Sequence, residues 1–312
     1  MAVPIWKDYY VDFGNVTSVD YEIRLTDGSI IFSGRSYRRP DDVSLKVKIN
    51  DICADYLKSS NGSGFVTEYG FESNDAAKEF RVFLASGTLV DTVVFINDWS
   101  YDMKRFDTGV LSDPINGNFD MRMPLKYSVS RDQTINVELV GTGSWWDEET
   151  GSAGTLTLED FSIEDVDVKI GDFLYRGKTT CHTHALYYVN AYGGWDFLLL
   201  EGRTVETDSY TRHEHKTEYN NTSADDRGAI NYLNEVEKSF VLHTGWMKNE
   251  EAAKMHHLLG STNVYLYDIT NSVVIPVVIT DNACKYKTFQ NEGGKLVEYE
   301  INVKVAKEMI RR

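Results

Sequence analysis

Apolar and polar residues alternate with a period of two over most of this chain, and stretches with a helical period are few. Around Ile23 and Leu25 apolar positions alternate with charged ones, Asp27-Gly28 marks a tight turn, and Ile30 and Phe32 alternate again on the return. That pattern predicts a β-hairpin. After Pro40, "SLKVKI" gives a further strand, and Asn50 can cap a short helix with Ile52, Cys53, Tyr56 and Leu57 on one face before "KSSNGSG" breaks the pattern. From about residue 76, "EFRVFLASG", "DTVVFIND", "MPLKYSVSR", "TINVELVGTG" and "GTLTLEDFSIEDVDVKIGD" follow as short alternating strands, the spacing of an immunoglobulin-like sandwich.

The last 140 residues begin with the alternating segments "HALYYVNAY", "WDFLLLEG", "SYTRHEHKTEY" and "KSFVLHTGW". The clearest helix spans about 249–259. Asn249 stands at its cap, Glu250 and Glu251 lie in the first turn where the dipole favours acids, Ala252, Met255 and Leu259 line one face, and Gly260 ends it. In the last long strand Val297, Tyr299, Ile301, Val303 and Val305 share a face against polar neighbours, as in a half-buried antiparallel strand. The expected fold is mainly β and multi-domain, with β-barrel or sandwich domains and one or two short flanking α-helices. Its divisions are expected at 1–75 (β with a short helix), 76–172 (sandwich) and 173–312 (barrel with one helix).

Composition supports strands: 19 Tyr, 14 Phe and 6 Trp stand against 5 Pro. The formal net charge is -16. Residues 1–172 hold 16 Lys and Arg against 30 Asp and Glu, a balance of -14, and residues 173–312 hold 16 against 18. An acidic chain is a poor partner for phosphates, so DNA is expected at most as a passive passenger through an acid-lined channel. No apolar run reaches 18 residues, and the first residues lack the basic and apolar parts of a leader, so no membrane span or export signal is expected. Cys53, Cys181 and Cys284 lie more than 100 residues apart and form no disulfide framework.

Several constellations bear on chemistry. In a strand, i and i+2 share a face, so His182 with His184 and His213 with His215 form two pairs able to grip an ion, and a metal-dependent enzyme is one reading. The strand around His213 is polar on both faces, however, unlike a metal cage, and no cofactor is expected. Trp99, Trp145 and Trp146 stand beside acids, the mixture that sugar-binding rims use, so a carbohydrate-binding or host-adsorption module is another reading. No GxSxG, P-loop, HExxH or strand-linked GxGxxG is present, which points away from an enzyme.

The segments "ALYYVNAYGGWDFLLLEG", "RHEHKTEYNN", "SFVLHTGWMKNEEAAKMHHLLGSTNVYLYD" and "IPVVITDNACKYKTFQNEGGKLVEYEINVKVA" resemble tail or baseplate virion proteins of tailed phages and prophages of gut anaerobes, over about residues 173–312. The resemblance implies a distal-tail-like or hub-like structural protein, made in the host cytoplasm and residing in the virion tail. Such a protein assembles as a homo-oligomeric ring with other tail proteins. Tyr187, Tyr188, Tyr192 and Trp195, around the Gly193-Gly194 turn, are the expected interface residues.

Overall fold

In the computed structural model the described residues are 2–57, 70–73, 77–96, 109–113, 117–129, 134–140, 144–149, 154–158, 167–178, 184–216, 229–247, 249–281, 296–306 and 309–311. Their fold is mainly β, with several sheets and little helix. One unit comprises Met1–Thr180, Tyr188–Phe197 and Gly260–Thr262, and the other Cys181–Tyr187, Leu198–Leu259 and Asn263–Arg312.

In the first unit, numbering strands along the chain, β1 (Ala2–Pro4), β8 (Leu89–Ile96), β7 (Ala77–Leu84), β3 (Ser18–Leu25) and β4 (Ile30–Tyr37) form a sheet in that order. β1 runs parallel to β8 and the other neighbours are antiparallel. Alternation decides the faces: Tyr21, Ile23, Phe80, Val82, Val93 and Phe95 point into one core. Glu22 and Arg24, on the opposite face, bond to each other at 2.6 Å. The expected turn is present. Gly28 has φ +86, a left-handed conformation that glycine adopts without steric cost, and Ser29 N–H donates to Asp27 Oδ1.

A ribbon of β2 (Tyr10–Asp12) and β5 (Lys46–Lys48), with α1 (Asn50–Ala54), completes that core through Val11, Leu45, Val47, Ile49, Cys53 and Leu57. Burial raises the Cys53 thiol to about 12, so it stays protonated and packs as a small apolar group. The break expected at residue 75 does not divide this sheet, since β7 pairs with β3 through Ile23 and Val82. Phe80 and Val82 find their cover only beside Tyr21 and Ile23, a long-range pairing that local periodicity does not encode.

Two further sheets belong to the same unit. One has the order β10 (Leu125–Val129), β13 (Gly154–Leu158), β6 (Gly70–Ser73). The other has the order β12 (Ser144–Glu149), β11 (Thr134–Val140), β14 (Asp167–Ile170), β15 (Phe173–Lys178), β9 (Gly117–Asp120), with β9 parallel to β15. β11 alternates as its sequence suggests, with Ile135, Val137 and Leu139 buried. β10 departs from that rule because all five of its residues are buried, Lys126 and Ser128 included.

The remaining sheet, whose strands fall in the second unit apart from Tyr188–Val189 and Trp195–Phe197, has the order β17 (Trp195–Leu200), β16 (His184–Val189), β20 (Val264–Asp268), β21 (Val273–Ile279), β22 (Glu300–Val305), β19 (Ala229–His243), β18 (Val205–Lys216), with β23 (Met309–Arg311) on the side of β19. Its two outer strands, β17 and β18, are joined by residues 201–204 alone. Such a link reaches roughly 18 Å, whereas six strand spacings in a flat sheet measure roughly 29 Å. The sheet therefore curls. On β22, Ile301 and Val303 are buried as expected. In α2 (Asn249–Gly260), Ala252, Met255 and Leu258 are the buried apolar residues; Leu258, not Leu259, completes the stripe because the packed side also takes in Lys254.

Candidate assembly interface

The hairpin β16–β17 carries the aromatics expected at subunit contacts. Tyr187, Tyr188, Tyr192 and Trp195 are instead packed inside the chain, each at most 7% exposed. The turn is organised around Asn190. Its Oδ1 accepts from the N–H groups of Tyr192 and Gly194 at 2.9 Å, and its Nδ2 donates to Leu111 O at 2.8 Å and to Asp196 Oδ2 at 2.7 Å. Gly193 takes φ +84, and a Cβ on Gly194 would stand 2.7 Å from the Leu111 backbone, so both glycines are dictated by geometry.

This tip explains the polar strand β10. Ser128 Oγ meets Thr155 Oγ1 at 2.8 Å and receives the Trp195 N–H at 3.0 Å, while Lys126 Nζ donates to Thr157 Oγ1 at 3.0 Å and lies 5.8 Å from the Trp195 ring centre. Ser112 Oγ donates to Trp195 O at 3.2 Å and accepts the Ser128 N–H at 2.8 Å, and Asp113 N–H donates to Asp196 Oδ1 at 2.9 Å. Buried polar groups are tolerable when paired in this way. Tyr188 Oη is enclosed without a hydrogen-bond partner, and its hydroxyl is pushed far up by burial, then by Asp196 and Asp113.

His182 lies outside the described residues, as does Trp99, and for Trp145 and Trp146 only the backbone in β12 is described. His184 on β16 lies beside the start of β18, with its Nδ1 3.5 Å from Thr204 Oγ1, whereas His213 and His215 lie toward the other end of that strand. Among the described residues no group of three or more metal-ligating side chains is assembled. His184 is pushed down by burial against the opposing pull of Asp268 and Glu206. His213 Nε2 stands 3.4 Å from Glu235 Oε1 without forming a hydrogen bond.

The next hairpin has the two-sided polar character read from its sequence around His213; what sequence reasoning did not draw from it is how far that exposure extends along both strands. β18 and β19 pair from Val205↔Val241 to Lys216↔Ala229, with Tyr232 as an extra residue on β19 where the register shifts. From 205 to 215 every residue of β18 except His213 is exposed, and no residue of β19 between 231 and 239 is buried. Neither face of this segment rests on a core among the described residues. Tyr210 and Tyr232 stand 60% and 61% exposed. Lys238 bonds to Glu206, and Lys304 to Glu237, but such surface ion pairs contribute about 0–1 kcal/mol each. β18 is also an outer strand, so its far row of backbone groups has no partner strand among the described residues. The visible signal was "VETDSYTRHEHKTEY" itself, which alternates polar with polar where a core-facing strand would alternate polar with apolar. Compared with known families and with curated proteins, the chain matches no family profile and no curated sequence.

Proposed function

We propose that this chain is a structural component of a phage tail or baseplate that assembles into a ring through protein–protein contacts and performs no catalysis. The observation that supports this reading best is the β18–β19 arm. A sheet edge with both faces in water is marginal by itself even where β22 and β23 pair with β19, and an open outer strand is a template for pairing with another chain. An arm twelve residues long in β18 makes physical sense when a neighbouring subunit covers it. The net charge of -16 fits the same role, because a ring lined with acids repels DNA and lets it slide.

The test is light scattering coupled to size exclusion on the full chain, followed by negative-stain electron microscopy. Ring-shaped particles of one fixed stoichiometry are expected. A protein that stays monomeric at every concentration, alone and with the neighbouring tail proteins, overturns the proposal.

A further inference from the structure

The first unit carries an open cleft at its surface. The loop from Arg38 to Ser44, between β4 and β5, borders this cleft of about 630 Å³. Its frame is pinned at both ends: Arg38 N–H donates to Thr17 O, Leu45 N–H to Gly14 O, and Phe13 N–H to Leu45 O, each at 2.9 Å. Inside the loop Asp42 N–H donates to Arg39 O at 3.1 Å. Arg35 grips both oxygens of Asp20 at 2.5 Å.

Onto this frame the cleft presents two aromatic rings and a set of uncommitted polar groups. Tyr10 is 52% and Tyr37 70% exposed. The side chains of Arg39, Asp41 and Asp42 make no hydrogen bond or ion pair among the described residues. Across the lining, Arg38, Arg39 and Lys46 face Asp41 and Asp42, leaving a balance of +1. Near-neutral charge does not select a polyanion, and an open polar cleft is not the enclosed apolar pocket of a lipid or cofactor. Flat aromatic faces beside free carboxylates and a guanidinium match a molecule whose faces are C–H and whose rim is hydroxyl.

We propose that this cleft is a carbohydrate site, taking an uncharged oligosaccharide whose ring faces stack on Tyr10 and Tyr37 while its hydroxyls bond to Arg39, Asp41 and Asp42. The proposal does not depend on ring assembly. A second copy of the chain is the rival occupant, since Tyr and Arg also dominate protein interfaces. The free carboxylates favour the sugar, because they offer acceptors to its hydroxyl groups.

The experiment screens the full chain against short neutral gluco-, galacto-, rhamno- and N-acetylglucosamine oligosaccharides by saturation-transfer NMR, then measures the best by calorimetry. At least one is expected to bind, with little dependence on salt. Tyr37→Ala should weaken it about tenfold, the loss of one ring contact, and Tyr37→Phe should retain it. Both variants should unfold at the wild-type midpoint, since the ring is exposed. Absence of binding by every sugar overturns the proposal, as does full binding by a Tyr10→Ala/Tyr37→Ala double variant. Loss of self-association in that variant with sugar binding intact assigns the cleft to a second copy instead.

Discussion

Two consecutive hairpins, β16–β17 and β18–β19, are made of the same kind of structure and meet opposite fates. In the first, residues 185–198 are all buried, and the turn is held by four hydrogen bonds to one asparagine side chain. In the second, charged and hydroxyl side chains occupy both faces, and among the described residues no core lies beneath them. The first hairpin is rich in rings yet offers none of them to a partner. The second has only Tyr210 and Tyr232 prominently displayed, and these are the ones within reach of another molecule. An aromatic cluster in a sequence thus marks area to be covered without saying which chain covers it.

The strongest blow to the contrast is Asn190→Ala. It removes the Asn190 hydrogen bond from the Leu111 carbonyl, the buried Asp196 carboxylate and two N–H groups, each loss costing about 1–3 kcal/mol, so a loss of at least about 3 kcal/mol is expected in denaturant unfolding. A loss under about 1 kcal/mol would show that the tip is held by something else. Gly194→Ala is next. Its new Cβ meets the Leu111 backbone at 2.7 Å, and the same assay should register about 2 kcal/mol.

The base of the buried hairpin predicts a pH effect. Burial lowers the proton affinity of His184, so the unfolded chain binds that proton more readily than the folded one. Stability from this source is fully present above about pH 6.5 and declines as pH falls through that value toward the folded one. Thermal midpoints between neutral and mildly acid pH should therefore fall more steeply in the wild type than in His184→Asn; parallel slopes would refute the assignment. The smallest effect on stability belongs to the arm. Tyr210→Ser with Tyr232→Ser should shift unfolding by no more than about 0.5 kcal/mol, yet weaken self-association in light scattering. A large loss of stability would mean that the arm is supported within its own chain.

Much of the secondary structure is legible from alternation alone, because a strand packed on one face must place apolar side chains at every second position. Tyr21 and Ile23 on β3, Ile135, Val137 and Leu139 on β11, and Ile301 and Val303 on β22 all follow that rule. The helix at Asn249–Gly260 is equally plain, down to its acidic first turn in the sequence. β10 is the counterexample. Lys126 and Ser128 read as a solvent-facing row, but Thr155, Thr157 and Trp195 arrive from distant parts of the chain to satisfy them. The cleft was illegible for a related reason: "YRRPDD" reads only as the end of a strand, and Tyr10 joins it from 27 residues upstream.

By itself the sequence determined the mainly β character, the positions of many strands, the hairpin turn at Gly28 and the acidic balance, since each depends on residues close together or on simple sums. Tertiary structure alone decided which strands share a sheet, that β7 joins β3 past residue 75, that the aromatic hairpin is internal and that the polar one is bare. The physical reason is that a side chain's preference for leaving water is local, whereas the surface that receives it is assembled from residues far apart in the chain.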